Sequence, residues 1–266
     1  MFARFHFPVL TALFCACITL LSASPAFAGF DATGHENFSG SALDTATWEQ
    51  YPPGIDTQYG VFTQNNKLTI DTTGPVTLAD YTTRAVQVPI GGSVSATVTP
   101  GLFTPSGGGI WIYLTDNSGG ENIQANLDHK RIAMSMPFSD GNVFGGAGSD
   151  QNGYGNFVAQ NLPTSTPFVW SIERFSATSG RFSVRTTGGQ LMGSFTDNNL
   201  TWPNISFNEP LYISLQTAGT SATFSNVSFS IPEPAALSAI AFALLPLTRR
   251  RQQVLPIPGK ATAVSS

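Results

Sequence analysis

The residues of this 266-residue chain best suited to chemistry are its scattered carboxylates and its aromatics. Glu36, Glu49, Glu121, Glu173 and Glu209 each stand alone, and no aspartate follows any of them at the second position. Hydrolysis of a glycosidic bond by a double displacement takes two carboxyl groups roughly 5–5.5 Å apart. One strand supplies such a pair most simply from alternate residues, which share a face, and that spacing is absent here. Glu173, next to Arg174, reads as a solvated ion pair on a strand. The two histidines outside the leader, His35 and His129, have no H-x-x-x-H spacing for zinc and read as surface residues. There is no G-x-S-x-G turn, and the Gly107-Gly108-Gly109 run precedes a strand, so it is not a phosphate loop opening a helix.

Trp111, Tyr113 and Tyr154 are the candidate sugar-binding residues. In Gly109 to Thr115 (GIWIYLT), Ile110, Ile112 and Leu114 share one face and Trp111 and Tyr113 the other. Tyr154 lies with Phe144 and Phe157 in a glycine- and asparagine-rich stretch, Ser139 to Asn161, expected as a loop over one edge of the fold. Asp150-Gln151-Asn152-Gly153-Tyr154-Gly155 begins like a calcium loop, but position twelve is Asn161 and not the bidentate glutamate. Like Asp116 to Glu121, it reads as an Asx-rich turn. No metal or cofactor is assigned, calcium being the one ion these turns leave open. Between Gly29 and Ser230 there are fifteen acidic and seven basic residues, a net charge of −8, which argues against a nucleic-acid partner.

The elements that must position these residues are strands. Val61 to Thr63, Lys67 to Asp71, Ser93 to Thr99, Gly109 to Thr115, Ile123 to Leu127, Arg131 to Met136, Phe168 to Arg174, Arg181 to Arg185, Leu191 to Phe195, Leu211 to Leu215 and Ala222 to Phe229 alternate with period two or are β-rich, with turn residues between them. About a dozen strands without helices imply two antiparallel sheets packed face to face.

The ends carry addresses. Arg4, an apolar run and Ala26-Phe27-Ala28 before Gly29 form a signal peptide over residues 1–28. It holds both cysteines, Cys15 and Cys17, so the domain at 29–230 can form no disulfide. Ala235 to Leu247 is thirteen uncharged residues, about 20 Å as a helix at ~1.5 Å per residue. That makes a short membrane helix, held on the cytoplasmic side by Arg249, Arg250 and Arg251. A polar tail, 254–266, follows.

Pro232-Glu233-Pro234, the apolar stretch and the arginine cluster, together 231–253, resemble the PEP-CTERM sorting signal of Gram-negative bacteria. The resemblance implies processing near the motif by an exosortase, transient membrane attachment and a place at the cell surface or in the extracellular matrix. The opening Asn37-Phe38-Ser39-Gly40 with Leu43-Asp44 and Trp48, the strand around Trp111, and the closing Phe224-Ser225-Asn226-Val227 resemble the concanavalin A-like, LamG-like lectin/glucanase jelly roll. Glucanases of that class carry E-x-D-x-x-E, which this chain lacks. The expectation is therefore a non-catalytic exported protein associated with exopolysaccharide. The alternatives are a diverged polysaccharide hydrolase or lyase of the same fold, and a purely structural coat component.

Overall fold

The computed structural model describes residues 34–40, 44–51, 61–74, 79–105, 107–116, 131–147, 156–200 and 207–232. The signal-cleavage residues Ala26, Ala28 and Gly29, the sorting residues Glu233, Pro234 and Arg249 to Arg251, the expected C-terminal helix, the strand expected at 123–127, His129 and Tyr154 lie outside them. The chain divides into two units, Met1–Ile231 and Pro232–Ser266, and the strands among the described residues belong to the first. Among the described residues no helix is long and apolar enough to cross a membrane.

In chain order the strands are β1 (His35–Glu36), β2 (Trp48–Tyr51), β3 (Val61–Gln64), β4 (Leu68–Asp71) and β5 (Ala79–Val88). Then come β6 (Ser93–Phe103), β7 (Gly109–Thr115), β8 (Arg131–Met136), β9 (Val143–Ala147) and β10 (Asn156–Ala159). The last five are β11 (Phe168–Arg174), β12 (Gly180–Thr186), β13 (Leu191–Asp197), β14 (Leu211–Ala218) and β15 (Thr220–Ser230). An eight-stranded sheet runs β13-β12-β11-β6-β15-β4-β3, with β1 paired on β15, and a seven-stranded sheet runs β10-β9-β8-β7-β14-β5-β2. Every ladder is antiparallel. This is the two-sheet jelly-roll sandwich of the concanavalin A-like class expected from the sequence.

One expectation is corrected. The stretch 139–161 is not simply a loop: it contributes β9 and β10, which pair with Phe157 opposite Phe144. Its glycines suggest a turn, but Gly145 is inside a strand for packing reasons, since a Cβ there would lie 2.6 Å from Phe182 Cγ. β5 also escapes the alternation argument. Asp80 and Arg84 interrupt its pattern, and its register against β14 shifts between Tyr212 and Ser214, as a bulge does.

The core lies between the sheets and includes Trp170, Phe182, Phe224, Leu68, Ile70 and Ile110, all nearly or fully buried. Each such side chain contributes about 1.5–3 kcal/mol on leaving water. On the eight-stranded sheet the opposite face stays polar. β6 and β11 alternate between buried and half-exposed residues, and Ser95 and Ser228 share a 2.8 Å hydroxyl contact there. The seven-stranded sheet differs: every residue of β7 and β8 is buried, on both faces. A polar or aromatic residue pointing away from the core there is out of water nonetheless.

Candidate functional site

That outer face is built by register. Gln216 on β14 pairs with Trp111 on β7, Trp111 with Ser135 on β8, Ser135 with Phe144 on β9, and Phe144 with Phe157 on β10. One row of side chains thus crosses five strands, each about 4.7–4.9 Å from the next. The adjacent row is Ser214, Tyr113, Ala133 and Gly146. Inward neighbours such as Ile112, Leu114, Met134, Ile213 and Leu215 sit in the core, which fixes the direction of the outer set.

Trp111 and Tyr113 stack, with ring centroids 6.4 Å apart and planes 9° from parallel. As strand residues i and i+2 they share a face, as expected from the sequence. The indole leans back along the strand over Gly109, where a Cβ would come within 2.2 Å of the ring. Gly109 is therefore the seat of the tryptophan. The Arg131 guanidinium lies 5.7 Å from the Tyr113 ring centroid, in cation–π range. Trp111, Tyr113 and Ala133 form a second apolar cluster, against which Phe144 packs. Phe144 in turn meets Phe157 at 4.5 Å, and Phe157 is half exposed. The aromatic surface thus runs from an enclosed centre to a solvent-facing rim.

Beside Trp111, Gln216 is completely buried, and neither its Oε1 nor its Nε2 has a hydrogen-bond partner. Each unsatisfied polar group costs about 1–3 kcal/mol in desolvation, so an apolar residue would be the more stable choice. Neither Gln216 nor Arg131 figures among the expected site residues. The signal for Gln216 is its alternation with Leu211, Ile213 and Leu215, which puts it on the face of Trp111 once the strands pair.

The remaining notable ionisable groups lie elsewhere. Glu36 is buried and accepts from Phe38 N at 2.5 Å and from Trp48 Nε1 at 3.5 Å. Burial raises its carboxyl above the usual range, these hydrogen bonds opposing the shift. Arg174 is buried and donates to the carbonyls of Val88, Phe207 and Glu209. Burial lowers it to about 10, so it stays charged at neutral pH. The expected Glu173–Arg174 pair is corrected: consecutive strand residues point to opposite faces, and Glu173 bonds instead to its cross-strand partner Arg181 at 2.5 Å. Of the calcium-like turns, the first lies outside the described residues and the second is described only at Asp116. Among the described residues no group of three or more metal-ligating side chains comes together.

No family model matches the chain, and no curated protein does either. Solved structures do. An endo-acting O-glycanase of the human gut microbiota, associated with the start of mucin breakdown, superposes with a TM-score of 0.53 at 12% identity, over 75% of this chain and 98% of its own. A glycoside hydrolase family protein from Mycobacterium thermorestibile gives 0.50 at 14% identity, over 74% and 100%. A pseudo beta-1,3-glucanase of Mycobacterium tuberculosis, an immunostimulatory antigen, gives 0.50 at 13% identity, over 75% and 98%. What these proteins share with the chain is the glucanase-like fold. Their company corrects the expectation of a non-catalytic matrix protein, and the diverged-hydrolase alternative accords with it better.

Proposed function

We propose that the domain is a diverged polysaccharide hydrolase that engages its glycan on the outer face of the seven-stranded sheet. The observation that carries this reading is the unpartnered, fully buried Gln216 amide beside the stacked Trp111 and Tyr113. A sugar ring offers a C–H face to an aromatic and hydroxyls to an amide that both donates and accepts. Gln216 and Tyr113 have no solvent contact in the free chain, so a glycan reaches them only after their present neighbours move aside. Phe157 is the point of first contact. The likeness to glycanase and glycoside hydrolase structures supports the reading at the level of fold. Export by the signal peptide, sorting at Pro232-Glu233-Pro234 by an exosortase and a cell-surface position belong to the same proposal and rest on the sequence.

The experiment is incubation of the full chain with a panel of soluble polysaccharides and detection of new reducing ends. Release from at least one glycan, weakened when Trp111 is replaced by alanine, is the expected result. No release from any of them would sink the reading.

A further inference from the structure

We infer that this face selects an acidic glycan, one whose sugar units carry a carboxylate, and that Arg131 is the residue that reads the charge. The inference rests on the glycan-engaging face proposed above and names its substrate class. Ile132, Met134 and Met136 on β8 belong to the core, so alternation puts Arg131, Ala133 and Ser135 on the outer face. Arg131 stands opposite Thr115 on β7, and Ala133 opposite Tyr113. On the other side of β7, Trp111 stands opposite Gln216. A diagonal thus runs from Gln216 through Trp111 and Tyr113 to Arg131. Its ends are two strands apart across the sheet and four residues apart along it, about 16 Å between Cα positions. They therefore meet different sugar units of one chain.

Arg131 is 3% exposed, and its guanidinium lies against the Tyr113 ring. Arg131 has other interactions, yet its Nε–H, inside the protein, has no acceptor. Nε–H and the terminal N–H beside it form one edge of a planar donor fork that matches the two oxygens of a carboxylate. A hydrogen bond to an ionised acceptor is roughly twice as strong as one between neutral groups, and exclusion from water strengthens it. A sugar hydroxyl in the same place brings no charge. A buried arginine is not a site by itself. The independent sign of a ligand is Gln216 at the other end of the diagonal, fully buried, with both amide atoms lacking partners. The domain at 29–230 carries a net charge of −8, so a polyanion is not drawn to it as a whole. A preference for one is local to this face.

The test compares polygalacturonate, alginate and hyaluronan with the methyl esters of the same polymers, which keep the chain and remove the charge. Retention of the full chain on each immobilised polymer and release of reducing ends are both measured, for wild type, for Arg131→Met and, on the other sheet, for Arg181→Met. The expected result is that wild type favours at least one carboxylate polymer over its ester by about tenfold or more in retention. Arg131→Met should handle both forms alike, and Arg181→Met should keep the preference. If Arg131→Met fails to fold, Arg131→Lys replaces it, and the preference should fall because an ammonium keeps the charge without the fork. Equal or better handling of the esters, or a preference undiminished in the Arg131 variant that folds, overturns the inference while any reducing-end release keeps the hydrolase reading standing. Dextran sulfate retained above the carboxylate polymers overturns the carboxylate assignment. Retention of a carboxylate polymer that depends on Arg131, without new reducing ends from any glycan, sinks the hydrolase reading and upholds the acidic ligand. Neither retention nor release on any polymer overturns both.

Discussion

Replacing Gln216 by methionine should make the protein more stable and less able to hold a glycan. The two side chains are close in volume and flexibility, so the swap keeps packing while removing two buried, unpartnered polar atoms. Each such atom costs about 1–3 kcal/mol. Part of that gain is lost because a thioether fits the amide's space imperfectly, at under about 1.5 kcal/mol. With two atoms released, the net expectation is a gain of at least about 0.5 kcal/mol. In a domain of this size the melting midpoint moves by about 2–4 °C per kcal/mol. Urea unfolding of the full chain, read as a shifted midpoint at constant slope, measures the stability. Retention on immobilised polysaccharide measures the function. A variant that is less stable than wild type by about 1 kcal/mol or more would show that the amide is satisfied in the native state. It would then be no reserved ligand group, and the case for this face would lose its main support.

Three further outcomes follow from the geometry. Gly109→Ala should displace the Trp111 indole, because the added Cβ would meet the ring at 2.2 Å. Expected are altered tryptophan fluorescence, a loss of about 1–3 kcal/mol from overpacking and weaker glycan retention. The raised carboxyl of Glu36 means that the native state binds its proton more tightly than the unfolded chain does. Stability from this group is therefore complete below the unfolded-state value and is lost as pH rises through the native one. Urea midpoints measured from pH 4 to 8 should show this decline in wild type and lack it in Glu36→Gln. Arg174→Met should cost about 3 kcal/mol or more, because the carbonyls of Val88, Phe207 and Glu209 lose their donor inside the protein. The cost is read from the same urea curves.

The sequence alone determined the fold class, because period-two alternation records which side of a strand is buried whatever its neighbours are. Val94, Ala96 and Val98 on β6 announce one buried face and one free face without any knowledge of pairing. Trp111 and Tyr113 were placed on a common face for the same reason. Glycine content misled at 139–161, since Gly145 serves the Phe182 ring of the opposite sheet and not a turn. The site itself was decided by tertiary structure. Gln216 and Trp111 lie far apart in the chain, and only the ladder between β14 and β7 brings them to one patch. Nor can alternation reveal that the outward residues of β7 and β8 are buried as well. Periodicity is a property of one strand and its local solvent contrast. Register and enclosure depend on contacts between segments that the linear order keeps apart.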